Sequence, residues 1–423
     1  METRVKTTAD FLIIGAGIIG LNVARTLHAQ HPSASIIVID KESDVAQHAS
    51  GRNSGVLHAG FYYSPNSLKA QFCRDGNTAM RAFVRENKLR INDCGKVVVA
   101  RNEMELPELE RLYERGKENG VKLQLVDEKE LVEIEPNAKT TGKAIYSPTT
   151  AIIDPIEVCQ TMRKELQSQG IQVLTNTPYE HRIGGNTIVA GGKTFEAGRI
   201  INCAGLYADR IAKDFGFCEQ YSIVPFKGVY REYTGADKPI SKCVYGVPNP
   251  HNPFLGVHYS VTVDGRVKIG PTAIPIPGRE NYHGMEGVNI HDALQIMKCD
   301  AVMFATDPDF RSHAFREIRK YYGPYMISQA AQMVKHLDKD KFTSWGRPGI
   351  RAQLMDDQSY KLLHDFKVEG DNESTHVLNA VSPAFTSSIP FAKYIVENYI
   401  EKTPPSPVLS EAFLHSQKGK HRG

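Results

Sequence analysis

Residues 11–40 constrain this chain more than any other segment. Phe11-Leu-Ile-Ile14 is a short apolar β run, and Gly15-Ala-Gly17-Ile18-Ile19-Gly20 follows it at once. Ile18, Leu21, Ala24 and Leu27 then recur at helical spacing, and Ser35-Ile-Ile-Val-Ile-Asp40 returns as a second β run that ends on an acid. Strand, glycine turn, helix and strand within about 30 residues open a parallel α/β sheet. Each glycine has its own task in such a unit. Gly15 makes the tight turn, Gly17 lets the backbone approach a pyrophosphate, and Gly20 lets helix and strand pack closely. The helix N-terminus offers free N–H groups to an anion, and Asp40 accepts from a ribose hydroxyl. A dinucleotide is the expected ligand.

The rest of the composition narrows the class. The chain has 423 residues, 41% hydrophobic and 23% charged, enough for two or three globular domains. The net charge is only +3, and Lys418, Lys420 and Arg422 crowd the last positions, so the body carries no polyanion-binding excess. Phe11 to Leu21, the longest nearly apolar stretch, falls short of the roughly 20 residues that cross a bilayer. No signal or transit peptide is visible, which makes a cytoplasmic location the expectation. The seven cysteines (73, 94, 159, 203, 218, 243, 299) are scattered without a C-x-x-C pair. They read as reduced thiols, not as a disulfide framework or a metal site.

Further elements follow from pattern. Helices are expected over 67–87, 107–117, 156–167 and 386–399, and a largely helical region over 289–340. Strands are expected at 96–100, 170–174 and 375–379, with a hairpin turning at Gly191-Gly192. Aromatic and β-branched runs broken by Pro and Gly from Tyr221 to Asp264 predict an antiparallel sheet. Residues 403–423, with prolines at 404, 405 and 407, read as a flexible tail. Three features read as decoys. Gly191-Gly-Lys-Thr194 lacks the first glycine of a phosphate loop, His28 and His31 form a surface pair without a third ligand, and Trp345 reads as core packing.

The segment Ser50-Gly-Arg-Asn53-Ser54-Gly55-Val56-Leu-His58-Ala-Gly-Phe-Tyr-Tyr63 chooses between cofactors. Its small residues leave room for backbone beside a large flat ring, which a nicotinamide does not require. This stretch resembles the flavin-contacting segment of the L-2-hydroxyglutarate dehydrogenase family, within the D-amino-acid-oxidase-like FAD enzymes. The resemblance continues through Ile201-Asn-Cys-Ala204-Gly205-Leu-Tyr-Ala-Asp209, Val224-Pro-Phe-Lys227-Gly228 and Pro253-Phe-Leu-Gly-Val-His258 with Gly270-Pro271. It ends with Gly349-Ile-Arg351-Ala-Gln353 and Leu378-Asn-Ala-Val-Ser382-Pro383-Ala384-Phe-Thr386-Ser-Ser388. Lys227 stands where this branch usually has Arg, Val229 where it has Glu, and Thr272 where Asn is common.

The resemblance implies an α/β fold: a discontinuous Rossmann-like FAD-binding domain (1–95, 150–215, 345–402) and an α+β substrate domain with an antiparallel sheet (96–149, 216–344). It implies FAD held by Gly15, Gly17, Ile18, Ile19, Gly20, Asp40, Lys41, Ser50, Asn53, Ser54, Gly55, Val56, His58, Val173, Ala204, Gly205, Ser382, Pro383, Ala384 and Thr386. The activity it implies is oxidation of a 2-hydroxy acid, L-2-hydroxyglutarate first, by hydride transfer from Cα to the flavin. Amino-acid or glycerol-phosphate oxidation and a non-catalytic flavin module are the alternatives. Electrons would pass to a membrane quinone, which implies peripheral contact with the inner face of a membrane.

Such chemistry needs cations for the substrate carboxylates and a base for its hydroxyl. Arg351 is the expected carboxylate clamp, since a guanidinium binds carboxylate in a bidentate way, and Lys227 is the second cation. His58 and His258 compete as the base, each neutral near neutral pH. Tyr63 and Tyr259 are candidates to bond substrate oxygens.

Overall fold

A computed structural model describes residues 6–249, 254–284 and 286–402, so the tail expected at 403–423 lies outside the described residues. Five parallel strands form the centre of one sheet, in the order Gln172–Leu174, Ile36–Ile39, Lys6–Ile14, Lys193–Asn202, Ser374–Asn379. Strands Tyr179–Gly184, Thr187–Ala190 and Lys367–Gly370 extend it in antiparallel fashion. The hairpin turns where the glycine pair suggests: Gly191 and Gly192 take φ of 54° and 71°, which L side chains avoid. Its second strand does not stop at Phe195. It runs to Asn202 and becomes a central parallel strand, buried along Ala197–Asn202.

Parallel order puts the carboxyl ends of all five strands on one edge, where open α/β sheets bind ligands. Gly15, Asp40, Cys203 and Ala380 come just past four of those ends and Thr177 three residues past the fifth, and all of them line one cavity. Helices Ile18–Gln30, Leu68–Glu86 and Ala384–Ile395 cover one face of the sheet. They close without gaps because Gly76 has no side chain: a Cβ there would lie 2.1 Å from the Thr386 carbonyl. Ser67 caps the second of these helices by accepting from the Ala70 N–H.

A second eight-stranded sheet runs Ser344–Trp345, Arg231–Glu232, Val267–Gly270, His258–Val261, Cys243–Gly246, Lys96–Val99, Lys143–Ser147, Gln124–Asp127. Every pairing in it is antiparallel except that of Cys243–Gly246 with Lys96–Val99. Tyr221–Gly228 joins neither sheet. It pairs with Gly349–Asp356 over its whole length, and Phe226 faces Arg351 in register.

Three expectations change here. The helical region is three helices, Ile290–Thr306, Pro308–Arg319 and Gly323–Ala331, followed by loop and a single 3-10 turn. Asp307-Pro308 and Gly323-Pro324 impose the breaks, and Asp307 caps the second helix by accepting from Asp309 and Phe310. His31 is not on the surface: it is buried and bonded to Glu401 at 2.5 Å. Trp345 is not core either. It is 46% exposed, with the Arg231 guanidinium 4.6 Å from its ring.

Candidate active site

The cavity at the sheet edge has a volume of about 1360 Å³, above the roughly 300–1,000 Å³ of an ordinary ligand pocket. One end is backbone. Gly15 has φ of 107°, and a Cβ on it would lie 2.5 Å from the Cys203 carbonyl. A Cβ on Gly20 would lie 2.0 Å from the Gly15 carbonyl, so this glycine serves packing and does not line the cavity. Gly17 starts the helix without a side-chain cap and without an acid in the first turn, which leaves its positive end for an anion. Ser50 accepts from the Ile18 N–H at 2.9 Å and pins the next segment against that turn. Asp40 accepts from Ala16 at 2.6 Å and from Glu42 at 2.9 Å, which fixes its carboxylate at the cavity wall. Lys41 lines the same end, paired with Glu280 at 2.7 Å.

The segment 50–63 runs along the cavity from this end to the other. Asn53 accepts from the Gly55 N–H and donates to the Ser50 carbonyl, forming a closed turn. Ser54, Val56, His58 and Tyr63 line the cavity with Ala204, Gly205, Ser382, Pro383, Ala384 and Thr386. Gly55 does not: its missing Cβ makes room for the Ile153 carbonyl, 2.4 Å away. Thr386 ties two pieces of the chain together. Its hydroxyl donates to the Val56 carbonyl at 3.3 Å and accepts from the His58 N–H at 3.1 Å.

The far end is made of side chains. His58, Tyr62, Tyr63, Tyr230, Tyr245, His258 and Arg351 converge there. Arg351 is held by a bond from Nη1 to the Thr272 carbonyl at 3.0 Å. Thr272 is itself fixed: its hydroxyl donates to the Lys227 carbonyl and accepts from the Val229 N–H. His258 Nδ1 lies 2.8 Å from the Gly256 carbonyl. A carbonyl only accepts, so Nδ1 carries the proton and Nε2 keeps its lone pair. Burial, with Lys96, Arg351 and Lys320 nearby, pushes the His258 pKa down to about 3 against the support of that carbonyl. His58 is pushed the same way by burial, then by Lys96 and His258. Both imidazoles are neutral at pH 7, so either can accept a proton.

Besides Gly20 and Gly55, three expected contacts are corrected. Lys227 follows Phe226, the register partner of Arg351, and side chains alternate along a strand. It therefore points away from Arg351, and its Nζ donates to the carbonyls of Asn281 and Tyr282 at 3.0 and 3.1 Å. Tyr259 follows His258 for the same reason onto the opposite face, into a core with Val244, Val261 and Ile269. Val173 packs inside the core beneath the parallel sheet, not against the cavity. The sequence reading missed Tyr62, Tyr230 and Tyr245, which line the cavity. Lys96, a lysine heading an otherwise apolar Val-Val-Val strand, lies behind two of them.

A backbone cradle with this layout, a long cavity and a polar far end define a flavin-dependent oxidoreductase. The family described as "FAD dependent oxidoreductase" matches residues 10–398. The chain is 35% identical over 392 residues to L-2-hydroxyglutarate dehydrogenase of Escherichia coli strain K12, covering 92% of each. It is 33% identical to the mitochondrial L-2-hydroxyglutarate dehydrogenase of Homo sapiens, over 92% of this chain and 88% of that one. Among solved structures it resembles the L-alpha-glycerophosphate oxidase of Mycoplasma pneumoniae with FAD bound, with TM-score 0.72, 22% identity and coverage of 95% and 97%. Glycine oxidase of Geobacillus kaustophilus aligns with TM-score 0.69 and 18% identity over 94% and 96%. These two neighbours establish the fold alone.

The chain belongs to the FAD-dependent oxidoreductases and, among them, to the L-2-hydroxyglutarate dehydrogenase family. Its cofactor is FAD. The cradle fits that group: Gly15, Gly17, the uncapped start of helix Ile18–Gln30 and the Asp40 carboxylate all line the cavity at the sheet edge.

Proposed function

We propose that the protein oxidises L-2-hydroxyglutarate to 2-oxoglutarate. The observation that carries this is the identity of about one residue in three with L-2-hydroxyglutarate dehydrogenases along nearly the whole chain. The pairing of a fixed guanidinium with two neutral imidazoles at one end of the cavity supports it. Bound FAD supplies a two-electron acceptor for the hydrogen on the substrate Cα. Arg351 donates to a substrate carboxylate and orients the molecule. His258 Nε2 takes the hydroxyl proton, and its Nδ1 bond to Gly256 keeps the ring turned for that task. His58, on the segment expected to contact the flavin, flanks the ring. The incoming carboxylates oppose the cations that depress His258, which raises its basicity when substrate is bound. A dye-coupled assay that traps 2-oxoglutarate from the L isomer tests the assignment. Turnover of glycine or glycerol phosphate in its place would reject it.

The division into a FAD-binding part (1–95, 150–215, 345–402) and a substrate part (96–149, 216–344) belongs to the same proposal. So does a quinone acceptor reached at a membrane surface. No helix among the described residues is long and apolar enough to cross a membrane. However, helix Ile290–Thr306 exposes Ile290, Leu294, Met297 and Phe304 along one face, and Phe315 and Ile318 on the next helix continue it. The rings of Phe304 and Phe315 lie 5.4 Å apart. Arg311 donates to the Phe304 carbonyl at 3.2 Å at the edge of this face. An apolar face with a cation at its edge suits an anionic lipid surface. Flotation with phosphatidylglycerol vesicles should carry the wild type and lose Leu294→Glu/Phe315→Glu; equal flotation of both would remove this surface from the account.

A further inference from the structure

Lys96 has no surface exposure and, among the described residues, its Nζ has no hydrogen-bond partner and no carboxylate paired with it. The thiols of Cys243, Cys73 and Cys94 act on it. Its ammonium lies instead among aromatic rings, 4.2 Å from the centroid of Tyr245, 5.1 Å from Tyr62 and 5.4 Å from Phe61. Tyr62 and Tyr245 form part of the cavity wall. Tyr245 also stacks on His258, with ring centroids 3.7 Å apart and planes within 19°. The tyrosine thus touches the lysine and the imidazole together.

An aromatic cage attracts a cation without neutralising it. In a low-dielectric wall, a cation without a counter-charge acts over a longer reach than one at the surface. We propose that Lys96 is a positioning residue for the reaction, a caged ammonium that holds the substrate end of the cavity at positive potential through the wall on which His258 stacks. The inference rests on the proposed dicarboxylate substrate and on His258 as proton acceptor.

Two consequences follow from the one charge. An entering dianion meets a cation that it does not touch. Burial lowers both imidazoles first, and Lys96 adds to it, joined by Arg351 and Lys320 at His258 and by His258 at His58, so that both are held unprotonated before substrate arrives. Burial lowers Lys96 to about 8, against the opposing pull of the three thiols. The ammonium is therefore charged at pH 7 and lost as pH rises above that value.

The test compares wild type, Lys96→Met and Lys96→Arg as FAD-loaded proteins. One readout is glutarate affinity, followed by the flavin spectrum; the other is the His258 titration, followed by histidine NMR without ligand. Lys96→Met should weaken glutarate about tenfold at pH 7 and move the His258 titration upward, and Lys96→Arg should restore both. Unchanged affinity and titration in a Lys96→Met protein that retains its flavin would overturn the proposal. If glutarate binds none of the three, the substrate reading fails; a raised His258 titration then supports Lys96, and an unmoved one overturns it. Should Lys96→Met not fold, the wild type still decides. Its glutarate affinity should fall as pH passes about 8, and constant affinity across that range contradicts the role.

Discussion

The two ends of the cavity are built from different materials. The sheet edge is backbone: turns at Gly15 and Gly17, a helix N-terminus, and an aspartate clamped by two N–H groups. The far end is side chains from strands distant in sequence, Arg351 from Gly349–Asp356 and His258 from His258–Val261, backed by a buried lysine. Backbone tolerates no added atom but says little about which substrate reacts. Side chains tolerate substitution of the fold's other parts yet decide charge and protonation. The first end should therefore fail as a whole, and the second one step at a time.

The largest effect is expected at the first end. Gly20→Val places a branched side chain where even a Cβ would be 2.0 Å from the Gly15 carbonyl. The protein should retain no flavin, read as visible absorbance per mole of chain; normal flavin content would break the comparison. At the second end, His258→Ala should keep its flavin and lose about 10²–10⁴-fold in anaerobic flavin reduction rate. A base is active only when unprotonated, and His258 is held down to about 3. In the wild type kcat/KM should thus hold steady from pH 7 to about 5, whereas an ordinary imidazole would already titrate near 6.5. A fall in kcat/KM over that interval would count against His258.

Arg351→Met should raise KM by roughly ten- to a hundredfold, the loss of charged hydrogen bonds worth about 1.5–3 kcal/mol. An unaltered KM would remove the carboxylate clamp. The smallest effect on turnover belongs to Lys227→Met. Its ammonium serves two carbonyls outside the cavity, so urea unfolding should show a loss of about 1–3 kcal/mol while KM stays put. A KM change as large as that of Arg351→Met would return Lys227 to the site.

The sequence revealed the first end far better than the second, and the reason is geometric. A dinucleotide cradle is local: Gly15, Gly17, Gly20 and Asp40 lie within one strand–helix–strand unit, and their spacing states their use. The substrate end depends on register. Lys227 and Arg351 both read as cations near glycine, but only the pairing of Phe226 with Arg351 reveals that they face opposite ways. Tyr259 was lost to the same alternation beside His258. Lys96 and Tyr245 meet because strands Lys96–Val99 and Cys243–Gly246 pair in parallel, a contact between residues 149 apart that no local pattern encodes. The strand Gly349–Asp356 escaped notice as well, because its polar residues Arg351 and Gln353 line the cavity and interrupt the apolar run.

The most direct measurement is anaerobic mixing of the FAD-loaded protein with each stereoisomer of 2-hydroxyglutarate. The account predicts that the L isomer bleaches the flavin in a single turnover while the D isomer, glycine and glycerol phosphate leave it yellow. A flavin that stays oxidised with the L isomer, or bleaches equally with both, would contradict it.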